Sequence, residues 1–263
     1  MLKKLLKYDL KDMFKFLIIF YSLGIFFAIL TRIFLGIENS FIMNIIGQIS
    51  SGVTISMIFN ILINNLMRIW VRFKNSFYND ESYLTHTLPI EKNTLYLSKI
   101  IATFVTVFTS TIVIMFMLFI AYYSKENMDL LKNMLLPLAD IYNTTLLKIV
   151  LAFFLVFFLE FANILQSGFT GIILGHKMNS GKLGFSVLFG FISYMITQIF
   201  ALIMIFVTGL FNENIMNLFH TTELINVDTI KIIIYLAIFI YIVTLVIGYF
   251  VNQYLFKQGV NIE

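Results

Sequence analysis

The sequence predicts an all-α polytopic membrane protein with six transmembrane helices, an N-terminal amphipathic helix and a short cytoplasmic helix between spans two and three. Hydrophobic residues make up 60% of the 263 positions and charged residues only 12%, whereas about 25% of residues are charged in a soluble domain. The mean hydropathy is +0.92. A compact soluble fold cannot bury this much apolar surface. The composition therefore excludes a soluble enzyme, a nucleic-acid-binding domain and a disordered chain.

Six apolar stretches are long enough to cross a bilayer, since about 20 residues span roughly 30 Å of hydrocarbon. We expect them to form a single domain over residues 1–263. The predicted spans are residues 16–37, 42–66, 97–123, 145–175, 184–211 and 230–256.

The Lys and Arg residues are distributed unequally around these spans. Thirteen of the 18 lie at the N-terminus, between spans two and three, between spans four and five, or in the C-terminal tail, whereas residues 212–229 contain none. Positively charged loops remain in the cytoplasm. Both termini are therefore predicted to be cytoplasmic and the loop over 212–229 extracellular, in a multi-pass protein of the cell membrane.

Residues 1–15 predict an interfacial amphipathic helix. Four lysines recur so that they share one helical face, and Leu and Met side chains lie opposite. Asp9 falls on the apolar side and interrupts this pattern. The helix is either a positive-inside anchor or a brace for the transmembrane bundle. The lysines expected at the membrane surface are Lys4, Lys7, Lys11 and Lys15.

Residues 67–93 form the longest predicted cytoplasmic segment. Asn79 is suited to capping a short helix with Asp80 and Glu81 in its first turn, where the helix dipole favours negative charge. Pro89 ends this helix, because the residue before a proline avoids the α region. Exposed aromatic side chains in such a helix indicate a protein partner. The alternative is a solvated connector.

A specific resemblance is carried by the run Asp80-Glu81-Ser82-Tyr83-Leu84-Thr85-His86-Thr87-Leu88-Pro89, followed by Leu97-Ser98-Lys99 at the start of span three. This pattern resembles the permease subunits of ABC-2-type ABC transporters. It is most similar to small six-span Firmicute permeases of antimicrobial-peptide resistance or peptide-toxin export. The six-span plan and the basic N-terminal helix agree with that family over nearly the whole chain. The Lys-, Asn-, Ile- and Phe-rich composition is typical of a low-GC Gram-positive bacterium.

The resemblance implies a permease domain whose short cytoplasmic helix is a coupling helix that docks on a separate ATPase subunit. ATP and Mg²⁺ would be held by that ATPase, so this chain is expected to bind no cofactor. The implied partners are a cytosolic ABC ATPase, a second permease copy or a paralogue, and membrane lipid, but not nucleic acid. The implied docking residues are Phe77, Tyr78, Asp80, Glu81, Tyr83, Leu84, Thr87, Leu88 and Pro89.

The sequence predicts no catalytic or metal site. The run from Gly175 to Leu183 differs from a phosphate-binding loop, because five residues separate its glycines and a leucine follows its lysine. The histidines (His86, His176 and His220) lie on different predicted sides and cannot share a metal. The sequence contains no cysteine, which excludes thiolate ligands and cysteine nucleophiles.

Glu160 lies inside span four, where a charge is costly and usually faces the helix bundle or a cavity. Asn163 and Ser167 follow on the same face, and span five contains a similar stripe of small residues, so the two helices are predicted to pack together. Gln48 belongs to a polar face of span two. A substrate path and helix packing are both open for these four residues.

The sequence thus predicts a non-catalytic permease subunit of an ATP-driven ABC exporter that moves an amphipathic substrate, with peptide as the first candidate. The alternative is an ATPase-independent secondary transporter or a membrane sensor. The substrate, the identity of the second permease and a transport direction independent of the resemblance are left open.

Overall fold

The computed structural model describes residues 1–37, 40–79, 81–220 and 227–258. Within these ranges the chain forms nine α-helices and no β-strand. The helices group into two compact units, Met1–Asp129 and Leu130–Glu263, and each unit is described by itself. The single domain over 1–263 stays a prediction.

Six helices are long and apolar enough to cross a membrane, so the predicted all-α chain with six such helices is confirmed. The architecture is compatible with a multi-pass membrane protein. The six are α1 (Leu2–Leu35), α2 (Phe41–Phe77), α4 (Lys92–Tyr122), α6 (Leu146–Gly175), α7 (Lys182–Phe211) and α9 (Val227–Lys257). The shorter helices are α3 (Ser82–Thr87), α5 (Lys125–Ile141) and α8 (Glu213–His220).

All six of these helices are longer than the roughly 20 residues that a bilayer requires, and α1 and α2 are the longest. α1 has 34 residues and α2 has 37, which correspond to about 51 and 56 Å, whereas the hydrocarbon layer is about 30 Å thick. α1 runs without interruption past residue 15, from the predicted interfacial helix into the first predicted span. The reason is that one buried stripe continues across this point, from Met13 through Leu17 to Tyr21.

In the first unit, α1 packs against both α2 and α4. The apolar contacts are supplemented by hydrogen bonds between helices. The Tyr21 hydroxyl lies 2.6 Å from the Ser110 hydroxyl, and the Asn65 amide donates to the same Ser110 oxygen at 2.7 Å. One cluster of buried apolar side chains in this unit contains Leu17, Tyr21, Ala28, Ile61, Ile114, Met117 and Ala121.

In the second unit, α6 lies against α7 and α9. The α6–α7 contact is made by small residues. A Cβ atom added at Gly171 would overlap the backbone of Ser186 and Gly190, and one added at Gly175 would overlap Ser186. Such close approach is possible only where side chains are absent or small. The structure thus brings together the two stripes of small residues that the sequence predicts.

The α6–α9 contact is polar at its centre. The Asn252 amide donates to the carbonyl oxygen of Gln166 at 3.2 Å, and the Thr170 hydroxyl donates to the Asn252 side-chain oxygen at 2.8 Å. Asn252 is fully buried. Satisfying its amide in this way avoids the cost of an unpaired polar group in an apolar interior.

The shortest helix, α3, lies in the segment that is predicted to contain a short helix, whereas α5 and α8 lie in segments for which no helix is predicted. Pro137 is inside α5, between two of the six long helices. The predicted extracellular loop, 212–229, contains α8 and the first turn of α9. Residues 221–226 of that loop lie outside the described residues.

Candidate functional site

Six charged side chains meet where α1, α2 and α4 of the first unit converge. We call them the ion-pair cluster; three are acidic and three are basic, so their formal charges cancel. The members are Asp9, Asp12, Arg68, Arg72, Glu81 and Lys99.

The centre of the cluster is the Asp9 carboxylate, which is only 2% exposed. Its Oδ1 atom accepts from Lys99 Nζ at 2.5 Å and from Arg72 Nε at 3.1 Å. The Lys99 ammonium also donates to the Ser76 hydroxyl at 2.9 Å and lies over the Phe77 ring. A buried carboxylate therefore joins α1 to α2 and α4 at once.

Arg72 links this centre to the chain beyond α2. Its Nη1 atom donates to both carboxylate oxygens of Glu81, at 2.9 and 2.8 Å, while its Nε atom bonds Asp9. A planar guanidinium is suited to such double contacts. At the margin of the cluster, Arg68 Nη2 lies 2.7 and 2.8 Å from the two oxygens of Asp12.

Residues 78–91, which we call the connecting segment, join α2 to α4. α3 begins at Ser82, with Glu81 at the N-cap position and no side-chain cap. The predicted cap by Asn79 is therefore wrong, because the Asn79 amide donates to Asn75 instead and Glu81 bonds Arg72. Asp80, a predicted docking residue, lies outside the described residues.

The end of α3 follows the prediction. α3 stops at Thr87, and Leu88 is extended, with φ −64° and ψ 138°, as expected before Pro89. His86 Nε2 lies 3.2 Å from the carbonyl oxygen of Phe77. This contact holds α3 against the end of α2.

The structure divides the predicted docking residues into a buried and an exposed group. Phe77 and Tyr78 are 0% and 1% exposed, so the expectation that both are available for contact is wrong. They pack inward at the end of α2, where Phe77 stacks edge-on against Phe73. Burial raises the pKa of the Tyr78 phenol above its ordinary value.

The other docking residues are on the surface. Tyr83 is 62% exposed and Leu84 is 71% exposed, and both are on α3. Thr87, Leu88 and Pro89 are also exposed. Glu81 is exposed but is engaged by Arg72. The connecting segment therefore has exposed apolar side chains on its outer side. On its inner side, charged and aromatic side chains hold it against the end of α2.

The N-terminal part of α1 has two distinct faces. The predicted membrane-surface lysines are exposed, whereas Asp9 and Met13 face the interior. Asp9 interrupts the amphipathic pattern because its carboxylate has buried cationic partners. Contact of the lysines with lipid headgroups stays a prediction. The exposed lysines are Lys4, Lys7, Lys11 and Lys15.

A second polar group occurs in the other unit, around Glu160 on α6. The Tyr194 hydroxyl donates to its Oε1 atom at 2.7 Å, and the Gln198 amide approaches the same atom at 3.4 Å. The Tyr241 phenol, on α9, interacts with the same carboxylate. Three helices thus surround one carboxylate in an otherwise apolar region.

The other residues predicted for a substrate path or helix packing are Asn163, Ser167 and Gln48. Asn163 is buried, and its amide lies 3.3 Å from the Thr197 hydroxyl. Ser167 is buried next to the α6–α7 contact. Gln48 is exposed and donates to Asn44 on its own helix.

Comparisons with protein-family models, with curated proteins and with solved structures found no significant match to this chain.

The residue-by-residue prediction missed the interior of the ion-pair cluster. Lys99 enters the prediction only through the resemblance at the start of span three, and no role is predicted for Arg72 or Ser76. The signal that could have identified them is Asp9, because an acidic residue on the apolar face of a helix requires a buried cationic partner.

Proposed function

We propose that this chain is a non-catalytic permease subunit of an ATP-driven ABC exporter. It pairs with a separate cytosolic ATPase and with a second permease, identical or paralogous. Its substrate is amphipathic, with peptide as the first candidate. ATP and Mg²⁺ belong to the ATPase, and this chain supplies the membrane path. The 80–89 sequence pattern and the six apolar helices support this proposal.

The single observation that carries the proposal is the surface of the connecting segment. A six-residue helix is too short to be stable by itself, yet α3 is held in place by Glu81, His86 and the buried end of α2. Meanwhile Tyr83 and Leu84 are left exposed. Fixed apolar and aromatic residues on a short segment are typical of a protein-binding surface.

The ion-pair cluster supplies a route from this surface to the membrane helices. Force on α3 reaches Glu81, which is joined to Arg72 on α2 and through it to Asp9 on α1. Lys99 extends the same connection to α4. Movement of a docked ATPase would thus displace three helices together, and this is the step that ATP hydrolysis must drive in an exporter.

The test is affinity purification of the full-length chain from its native host in mild detergent. We expect a stoichiometric soluble ATPase to co-purify with the wild type and to be lost from the Tyr83→Asp and Leu84→Asp variants. Insertion into the membrane should be unchanged, because both side chains are on the surface. A co-purifying second permease would establish the pairing.

The matched controls are Tyr83→Phe, which keeps the aromatic ring, and Tyr8→Asp, which adds a charge at another exposed tyrosine on the predicted cytoplasmic side. Both should retain the ATPase. If no nucleotide-binding protein co-purifies with the wild type in several detergents, or if the Asp variants retain it fully, the proposal is wrong.

The second candidate, an ATPase-independent transporter or membrane sensor, is favoured by one observation. Glu160 is a carboxylate within an apolar helix, surrounded by Tyr194, Gln198 and Tyr241. Intramembrane carboxylates with polar partners are typical of proton and ion pathways. Uptake or efflux driven by an ion gradient in vesicles without ATP, and abolished by Glu160→Gln, would support this candidate over the first.

A further inference from the structure

A cavity of about 230 Å³ lies within the second unit, between the turn that joins α5 to α6 and the first half of α9. The turn is shaped by Asn143, which adopts a left-handed conformation with φ 45°, a region that Asn tolerates better than most residues. The backbone N–H of Thr144 donates to the carbonyl oxygen of Ala139. This bond closes the end of α5 beside the cavity.

Two lysines give the cavity a positive charge. Lys148 and Lys231 both line it. Among the described residues, neither has a carboxylate within 4 Å. Lys231 instead lies 5.2 Å from the centre of the Tyr142 ring. Two cations beside one cavity repel each other, so a bound anion would stabilise this arrangement.

The other walls are apolar. Ile149, Phe153 and Ile238 line the cavity, and the neighbouring surface of α6 continues with exposed Leu147 and Leu151. The site therefore has a cationic part and an apolar part. The apolar part continues into exposed leucine side chains, which are suited to contact lipid acyl chains. That combination matches an amphiphile better than a small inorganic ion.

The position along the helices indicates the depth of the site. Lys148 is in the first turn of α6, and Lys231 is in the second turn of α9. Ends of membrane-spanning helices lie at the level of the headgroups, where Lys and Tyr are the usual anchoring residues. Tyr142 and Tyr235 also line the cavity, which fits the same depth.

We propose that this cavity binds the phosphate-bearing headgroup of an anionic phospholipid. The two ammonium groups bind the phosphate, and the acyl chains extend along the apolar surface of α6 and α9. The cavity is smaller than the roughly 300–1,000 Å³ typical of sites for drug-sized ligands, so it accommodates a headgroup and not a whole substrate. This site does not depend on coupling to an ATPase.

The test is native mass spectrometry of the full-length chain in detergent micelles, titrated with phosphatidylglycerol or, separately, with phosphatidylcholine. We expect one phosphatidylglycerol to remain bound to the wild type. Lys148→Gln combined with Lys231→Gln should weaken this binding at least about tenfold, because charge-assisted hydrogen bonds are lost. Phosphatidylcholine, which has no net charge, should bind more weakly than phosphatidylglycerol.

Two further variants distinguish specific binding in the cavity from nonspecific attraction of an anionic lipid to exposed lysines. Ala152→Phe fills the cavity and leaves both lysines in place, and it should also remove the bound lipid. Lys125→Gln removes an exposed lysine that does not line the cavity, and it should have no effect.

The competing source of the same chemistry is free phosphate. If inorganic phosphate displaces phosphatidylglycerol or binds the cavity without lipid at a comparable concentration, the ligand is a soluble anion and the lipid proposal is overturned. Equal retention of phosphatidylglycerol by the wild type and the double Lys variant also overturns it.

Discussion

In the first unit, α1, α2 and α4 are joined by charged side chains that reach across the gaps between helices. In the second unit, α6 and α7 are joined at Gly171 and Gly175, where their backbones approach each other directly. The Lys and Arg side chains of the ion-pair cluster have several rotatable bonds, whereas the atoms nearest to a Cβ added at Gly171 belong to the backbone of α7.

This difference indicates where movement is tolerated. Long side chains can keep their ion pairs while helices shift by an ångström or two, since a guanidinium or ammonium group can follow its carboxylate. Two backbones in contact cannot shift without losing van der Waals packing. We therefore expect the connected helices of the first unit to be the adjustable ones and the α6–α7 pair to be rigid.

The largest effect is expected at Asp9. Asp9→Ala leaves the buried Lys99 ammonium without its carboxylate, and breaking a buried ion pair costs about 3–5 kcal/mol. The free energy of unfolding, measured by denaturant titration in micelles, should fall by this amount. Asp12→Ala is the matched control, because the Asp12 side chain is 35% exposed and exposed pairs contribute about 1 kcal/mol or less.

A double variant sharpens this result. Asp9→Leu combined with Lys99→Met removes both charges, and buried ion pairs are often replaceable by apolar residues without loss of stability. The double variant should be more stable than Asp9→Ala. Equal destabilisation by Asp9→Ala and Asp12→Ala would show that water reaches the Asp9–Lys99 ion pair.

The next effect in size is expected at the glycine contact. Gly171→Leu places a side chain where the backbones of Ser186 and Gly190 lie, and overpacking of this kind costs about 1–3 kcal/mol. Gly184→Leu is the control, because no atom lies within 4 Å of its added Cβ. Thermal unfolding in detergent should separate the two variants. Similar melting temperatures for the Gly171→Leu and Gly184→Leu variants would mean that α6 and α7 can shift apart as readily as the helices of the first unit.

The smallest effect on stability is expected at Glu160. Glu160→Gln keeps an oxygen that can accept from Tyr194, so the free energy of unfolding should change by about 1 kcal/mol or less. Transport is the informative readout. Normal transport by Glu160→Gln assigns the carboxylate to helix packing, whereas loss of transport in a stable variant assigns it to the substrate path.

The six long apolar helices were predictable because hydrophobic composition alone determines which stretches can enter a bilayer, whereas α5 and α8 were not predicted. The end of α3 was predictable for a local reason, the proline at 89. Helix starts were less accessible. The continuation of α1 across residue 15 depends on a buried stripe whose partners are as much as 90 residues away, as for the 9–99 ion pair.

The interior of the site could not be read from local patterns. Phe77 and Tyr78 have the same chemistry as Tyr83, and only the tertiary fold places the first two inside and the third outside. Arg72 was visible as a basic residue, but its contacts with both Asp9 and Glu81 require α2 to continue past the predicted end of its span. Charge pairing between distant helices is a property of the assembled unit.

The length of α2 has a mechanical consequence. One uninterrupted helix leads from Phe41 to Phe77, and the connecting segment leaves directly from its end. Such a rod acts as a lever when it pivots at its midpoint. At a length of about 56 Å, a tilt of about 10° moves its two ends by roughly 5 Å in opposite directions. A displacement of one end thus becomes an opposite displacement of the other end, and the stiffness of the helix transmits it without any hinge.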